Sequence, residues 1–346
     1  MKKSKKTEVS AMEYRILGKT GLKISRLGFG GIPIQRIDAE GTKVLMRQLQ
    51  AAGVNFIDTA RGYTVSEEYL GYALEGIRED FIIASKSMSR TKEAMAADID
   101  ISLKNLRTDY IDLYQIHNAT PDQLQQIMAP GGALEALQEA KAAGKIRHIG
   151  LTSHSLDTFK LALDCDWVET FMFPYNIVET QAEKLIAEAA KKNIGFIDMK
   201  PMAGGAIEDA TLALRYICAN ENVTVVIPGM ADPKELTQNI AAVCDTSPLT
   251  AEEKAGFLEV RNQLGTQFCR RCNYCQPCSA GINISGAFLF DGYLQRYGLG
   301  DWAKDRYATM SKKASDCIGC GACEDRCPYH LPIREMLKKV AEHFGE

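Results

Sequence analysis

Along residues 23–245, short apolar runs alternate with stretches in which apolar side chains return at every third or fourth position. The runs, bounded by turn-forming residues, predict strands at 24–28, 55–58, 81–85, 111–116, 146–151, 170–173, 195–198 and 223–227. Between them, 42–52, 94–106, 134–143, 182–192 and 233–243 carry the spacing of amphipathic helices. Eight strand-then-helix units in about 220 residues is the count of a (β/α)8 TIM barrel, whose catalytic groups lie at the C-terminal ends of the strands. A doubly wound open sheet is the alternative. Ahead of these units, 14–17 and 22–24 flank Gly-Lys-Thr-Gly, which predicts a hairpin across the barrel floor.

Composition narrows the class. A hydrophobic content of 46% is enough for a full core, and a net charge of −3 gives no reason to expect nucleic acid. No apolar run approaches the ~20 residues of a membrane span. The first residues, MKKSKKTEVSA, are basic but lack an apolar segment, so 1–12 read as a disordered tail and not a signal peptide. The expected organisation is then a barrel at 13–248, a connecting helix at 249–265 and a second domain at 266–346.

Eight of the eleven cysteines fall into two tight runs within that second domain, CRRCNYCQPC at 269–278 and CIGCGACEDRCP at 317–328. Cys-x-x-Cys-x-x-Cys wraps one corner of an iron–sulfur cubane, and the fourth cysteine of a bacterial-ferredoxin run ligates the other cluster. That rule assigns Cys269, Cys272, Cys275 and Cys327 to one [4Fe-4S] cluster, and Cys317, Cys320, Cys323 and Cys278 to a second. Two zinc ions or a set of disulfides are the alternatives. Zinc ribbons use two cysteines per knuckle, not three in series, and nothing in the chain suggests secretion. Oxygen-sensitive clusters without an export signal point to a reducing cytoplasm. Cys165, Cys218 and Cys244, scattered singly among apolar residues, read as packing residues.

Ionisable residues stand at the ends of the predicted strands. Asp58 closes the second, with Tyr63 five residues on; Lys86 closes the third and His117 the fourth. In a barrel all four converge on one mouth. Here the chain resembles the aldo-keto reductase superfamily, of the iron–sulfur (ferredoxin-domain) type, whose tetrad is Asp, Tyr, Lys and His in this order. The resemblance covers roughly 14–243 and includes IRHIG at 146–150, PYN at 174–176 and IPG at 227–229. It implies an NAD(P)H-dependent oxidoreductase interconverting a small carbonyl and an alcohol. The chemistry explains the residue types. A phenol with an ordinary pKa of about 10 is a reluctant proton donor. Lys86 is expected to lower the pKa of Tyr63, Asp58 to hold Lys86 charged, and neutral His117 to bond the substrate oxygen.

Cofactor binding is where the chain departs from that family, whose members hold the nicotinamide carboxamide with a Ser-Asn pair after the fifth strand and a Gln on the sixth. Those positions read Thr152-Ser153 and Met172, and the residue that stacks on the ring reads Met199. Hydroxyls can still bond an amide and methionine can pack on a ring face. His154 reads as a solvent-facing loop residue, with a substitute cofactor contact as the alternative. Where NADP-preferring members clamp the 2′-phosphate, this chain has Gly229, Met230 and Glu235, while Gln238 and Asn239 match the adenine-facing pair. A carboxylate at Glu235 favours NAD, although Lys234 leaves NADP open. Gly204 and Gly205 would admit the pyrophosphate, with Lys200 as its charge partner.

The purpose of the clusters stays open between a structural staple that walls the pocket, an electron-transfer module for a redox partner protein, and a redox sensor. The segment between the cysteine runs, with Phe288, Phe290, Tyr293, Tyr297, Trp302 and Tyr307, reads as helical packing against the barrel. It resembles the mainly α-helical ferredoxin module of fumarate-reductase-type subunits, in which clusters pass electrons in series. The runner-up function is a redox-sensing or electron-transfer protein whose barrel binds nicotinamide without carbonyl turnover.

Overall fold

The first structural event is a hairpin: in the computed structural model, which describes residues 11–265, 268–271, 273–296 and 300–346, β1 (Tyr14–Ile16) and β2 (Lys23–Ser25) pair antiparallel with Tyr14 opposite Ser25. Eight parallel strands follow: β3 (Phe29–Gly30), β4 (Phe56–Asp58), β5 (Ile82–Ser87), β6 (Ile111–Ile116), β7 (Ile146–Thr152), β8 (Thr170–Pro174), β9 (Gly195–Met199) and β10 (Val225–Val226). They pair in sequence order, and parallel bridges at Leu27–Val226 and Gly30–Gly229 join the last to the first. The sheet is therefore the expected (β/α)8 barrel. Its interior is filled by Phe56, Ala84, Leu113, Met172, Ile197 and Val225, with Leu17 of the hairpin in the same apolar cluster.

The strand boundaries shift where the barrel closes. Lys23–Ser25 belongs to the hairpin, so the first barrel strand is shorter and later than 24–28, and β10 is cut to two residues. The physical reason is the tightness of the seam: a Cβ on Gly30 would lie 2.9 Å from the carbonyl oxygen of Ile227. Glycine permits that approach but supports only single bridges there.

The five predicted helices are all present, as Ala39–Ala51, Lys92–Leu106, Ala133–Ala142, Glu183–Lys191 and Pro233–Cys244. The first starts three residues early because the Asp38 side chain accepts from Gly41 N and caps it. Helices Ser66–Ala73, Pro121–Met128, Leu156–Ala162 and Ala210–Cys218 complete the outer layer, the second opened by a Thr120–Gln123 capping box.

The chain divides into two compact units, one comprising the chain up to Ala203 with Ile207–Glu259, the other Gly204–Ala206 with Val260–Glu346. The division falls inside the helix Ala251–Leu264. The second unit is mainly helical, with Ile284–Arg296 and Gly300–Ala308 between the cysteine runs and Ile333–Phe344 at the end. Its apolar core contains Ile284, Phe288, Tyr307, Ile333 and Leu337 together with Cys275, Cys323 and Cys327. Phe288 and Tyr307, expected to face the barrel, thus serve the module's own core, and Tyr307 stacks on Phe344 at 3.9 Å. Tyr297 and residues 1–10 of the expected tail lie outside the described residues. No helix among the described residues is long and apolar enough to cross a membrane.

One buried cation locks the barrel floor. Arg26, 1% exposed, donates to the carbonyls of Val223, Cys218 (2.9 Å) and Asn220 (3.1 Å), tying the chain entering β3 to the turn that follows helix Ala210–Cys218. An Arg26→Met substitution strips those carbonyls of a charged donor, so we expect a loss of about 3 kcal/mol of stability. Urea unfolding followed by circular dichroism reads it as a lower midpoint with an unchanged slope.

Candidate functional site

The strand ends bring Asp58, Lys86 and His117 together because β4, β5 and β6 are neighbours in register. Lys86 pairs with Gln115 across the ladder, and His117 N donates to Ser87 O at 2.8 Å. Lys86, 1% exposed, places its ammonium 2.5 Å from Asp58 Oδ1 and 2.8 Å from Thr59 O. Burial disfavours that ammonium, but the Asp58 carboxylate and Tyr63 outweigh it and hold the lysine above its ordinary range. Tyr63 sits on the turn after β4 with Lys86 Nζ 4.9 Å from its ring centroid. The His117 ring meets the Tyr63 ring edge-on, centroids 6.0 Å apart. Burial, then the positive charges of Lys86, Arg90 and Lys200, push His117 down to about 3. It is a neutral imidazole whose Nδ1 has no hydrogen-bond partner among the described residues.

Tyr63 departs from the expected direction. Lys86 does pull its pKa down, but burial is the larger effect and the phenol is held above its ordinary value. At neutral pH it is protonated.

The remaining predicted contacts are more scattered. Thr152 Oγ1 accepts from Asn118 N at 2.8 Å, and Ser153 Oγ donates to Ala119 O at 2.7 Å and accepts from Ser155 N at 3.0 Å. Both hydroxyls thus brace the loop after β6. His154 does not face solvent as expected: it is half-buried, its Nδ1 3.0 Å from Asn118 Oδ1, and burial drops its pKa well below the ordinary value. Met172 lies inside the barrel, and Met199 packs at the edge of the same cluster. Lys200 follows β9 in a left-handed conformation, and Gly204 and Gly205, at φ +70° and +90°, fall in the second unit. Gly229 bridges Gly30 at the seam. Glu235 is exposed, but its Oε2 accepts from Ala231 N (2.8 Å) and Asp232 N (3.1 Å), closing a capping box on helix Pro233–Cys244. Gln238 reaches Thr211 Oγ1 at 3.2 Å, and Asn239 is buried.

In the second unit the cysteines separate into two cavities. One is lined by Cys278 from the first run and Cys317, Cys320 and Cys323 from the second. The other is lined by Cys269 and Cys275 from the first run and Cys327 from the second. Cys272 lies outside the described residues. Cys165 and Cys218 are free thiols packed against the barrel core, and Cys244 is a buried free thiol.

Residues 26–212 match the aldo/keto reductase family. The chain belongs to that family. A 4Fe-4S dicluster domain matches at 268–332, so this aldo/keto reductase carries an iron–sulfur domain C-terminal to its barrel in the sequence. It is similar to L-galactose dehydrogenase of Arabidopsis thaliana, 28% identical over 71% of this chain and 92% of the relative. It is also similar to the NADH-specific methylglyoxal reductase of Escherichia coli, 23% identical over 66% and 92%. Among solved structures, aldo-keto reductase AKR11C1 of Bacillus halodurans in its holo form aligns with a TM-score of 0.63 at 27% identity, covering 72% of this chain and 96% of that one. These likenesses make the chain an oxidoreductase of the aldo/keto reductase family.

Two neighbours of the Asp58, Tyr63, Lys86 and His117 group escaped sequence reasoning. Gln115 Nε2 donates to Asp58 Oδ2 at 3.2 Å, and Arg90 Nη2 donates to His117 O at 2.7 Å. Gln115 had a signal: it stands two residues before His117 on a strand, hence on the same face. Arg90 comes from a loop and had none.

His117 and His154, both half-buried, give a pH dependence with a definite sign. Folded, both stay neutral well below their ordinary value of 6.5. The unfolded chain therefore binds more protons as pH falls below that value, and stability falls with it, by up to about 1.4 kcal/mol per pH unit for each group. We expect urea stability to decline from about pH 7 to about pH 5, and His117→Gln to flatten that decline. An unaltered slope in the variant would contradict the neutral burial of His117.

Proposed function

We propose that this protein reduces small aldehydes or ketones, and oxidises the matching alcohols, with NADH as the preferred donor. The observation that carries the reading is the buried Lys86–Asp58 ion pair lying under the Tyr63 ring, with neutral His117 at its edge. When bound, nicotinamide supplies the hydride that goes to the carbonyl carbon. The chain's own residues handle the oxygen. Tyr63, protonated at neutral pH, gives its proton to the developing alkoxide, and the Lys86 ammonium stabilises the tyrosinate left behind. Asp58, held by both Lys86 and Gln115, keeps that ammonium in place. His117 offers the carbonyl oxygen a hydrogen bond without adding charge. In oxidation the same groups work in reverse.

The nucleotide preference draws on the carboxylate pinned at Glu235 by two backbone N–H groups and on the relative whose name specifies NADH. The substrate class draws on the relatives named for L-galactose and methylglyoxal, both small oxygenated molecules. For the second unit we propose two [4Fe-4S] clusters, ligated by Cys269, Cys272, Cys275 and Cys327 and by Cys317, Cys320, Cys323 and Cys278. Each described set lines one cavity. Three of the ligands sit in the apolar core, so the clusters act there as staples.

Multiple-turnover oxidation of NADH by a panel of aldehydes and ketones tests the reading. The unaltered protein should turn over, and Tyr63→Phe should lower kcat/KM by about 10²–10⁴-fold with cofactor binding retained. Tight nucleotide binding with no turnover on any carbonyl would sink it.

A further inference from the structure

The two cysteine cavities differ in how their positive charge is held. Among the described residues, the cavity of Cys269, Cys275 and Cys327 has one charged residue in its lining, Arg270, and no carboxylate. Arg270 is 4% exposed. Its guanidinium carbon lies 3.9 Å from the Tyr329 ring centroid and 4.4 Å from that of Phe268, and Nη1 donates to Phe268 O at 3.3 Å. The rings hold the cation by its faces and keep water from it. The other cavity is lined by Arg326 and Arg334, both exposed, and Arg334 is engaged by Glu324 at 2.7 Å. Cys320, in that same lining, is exposed as well.

Burial decides which cation matters. A charge in a low-dielectric surrounding acts several-fold more strongly at a given distance than one screened by water and salt. When a cubane takes an electron it gains one negative charge, with no bond made or broken and no proton required. A buried guanidinium beside it stabilises the reduced form, and nearby charge and exposure are among the factors that set cluster potentials. We propose that Arg270 sets the potential of the Cys269/Cys272/Cys275/Cys327 cluster above that of its neighbour, making it the module's electron sink. The cluster at the exposed Cys320 is then the one an outside one-electron donor meets first, and the electron comes to rest on the buried one. This inference rests on the two-cluster reading proposed above.

The test is an anaerobic redox titration of the full-length holoprotein with dithionite, followed by EPR. The first signal to appear on reduction should be altered by Cys269→Ser and left alone by Cys320→Ser. Arg270→Gln should move that signal to a more negative midpoint while the second stays put, and Arg270→Lys should restore most of the shift. Asn273→Asp, a near-isosteric change that places one carboxylate in the same cavity, should move it in the same direction, which keeps the test alive if the arginine variant fails to assemble. A first-reduced signal belonging to the Cys320 cluster, or midpoints unmoved by both substitutions, would overturn the proposal. Protein without two clusters' worth of iron would instead defeat the cluster reading on which it rests.

Discussion

The site depends on an ion pair that water cannot reach. Lys86 and Asp58 are both almost wholly buried and stand 2.5 Å apart. Taking two charges out of water is expensive, and removing one partner of such a pair typically costs 3–5 kcal/mol. The surroundings repay part of that: Thr59 O takes a second proton of the ammonium and Gln115 Nε2 bonds the second oxygen of the carboxylate. Both partners come from strand ends, so β4 and β5 must pair in register before the pair can form. The fixed charge then acts on two neighbours in opposite ways, pulling Tyr63 toward ionisation against its burial and pushing His117 toward neutrality along with its burial.

The second unit solves a different problem. Its apolar core is small, and three of its buried members are cysteines, side chains that contribute packing and also wait for metal. Each cavity draws on both cysteine runs, so inserting clusters would cross-link segments separated by two helices. The cation buried in one cavity gives the pair an internal asymmetry that exposed arginines in the other cannot match.

Much of this was legible in the sequence, and the exceptions have physical causes. Asp58, Lys86 and His117 could be found because strand ends are fixed by alternation, and the barrel rule says where strand ends point. The sorting of Cys278 with the second run and Cys327 with the first followed from spacing alone. What could not be read were quantities that depend on partners distant in the chain. The direction of the Tyr63 shift needed burial weighed against charge. His154 looked like a surface loop residue until Asn118, from another loop, was seen against it. That the hydroxyls of Thr152 and Ser153 brace residues 118 and 119 could not be read either. Glu235 was readable in a second way as well: Asp-Pro-Lys-Glu is a capping-box pattern, and the carboxylate closes that box. The seam strands came out short because close glycine contacts there replace a regular ladder.

The central claim is that the barrel transfers hydride directly to a carbonyl carbon and does not route single electrons through the clusters. Following deuterium from NADH dideuterated at C4 into the alcohol product, in ordinary water, tests this most directly. The account predicts one deuterium per molecule on the former carbonyl carbon, delivered to a single face. Product carrying solvent hydrogen at that carbon would contradict it.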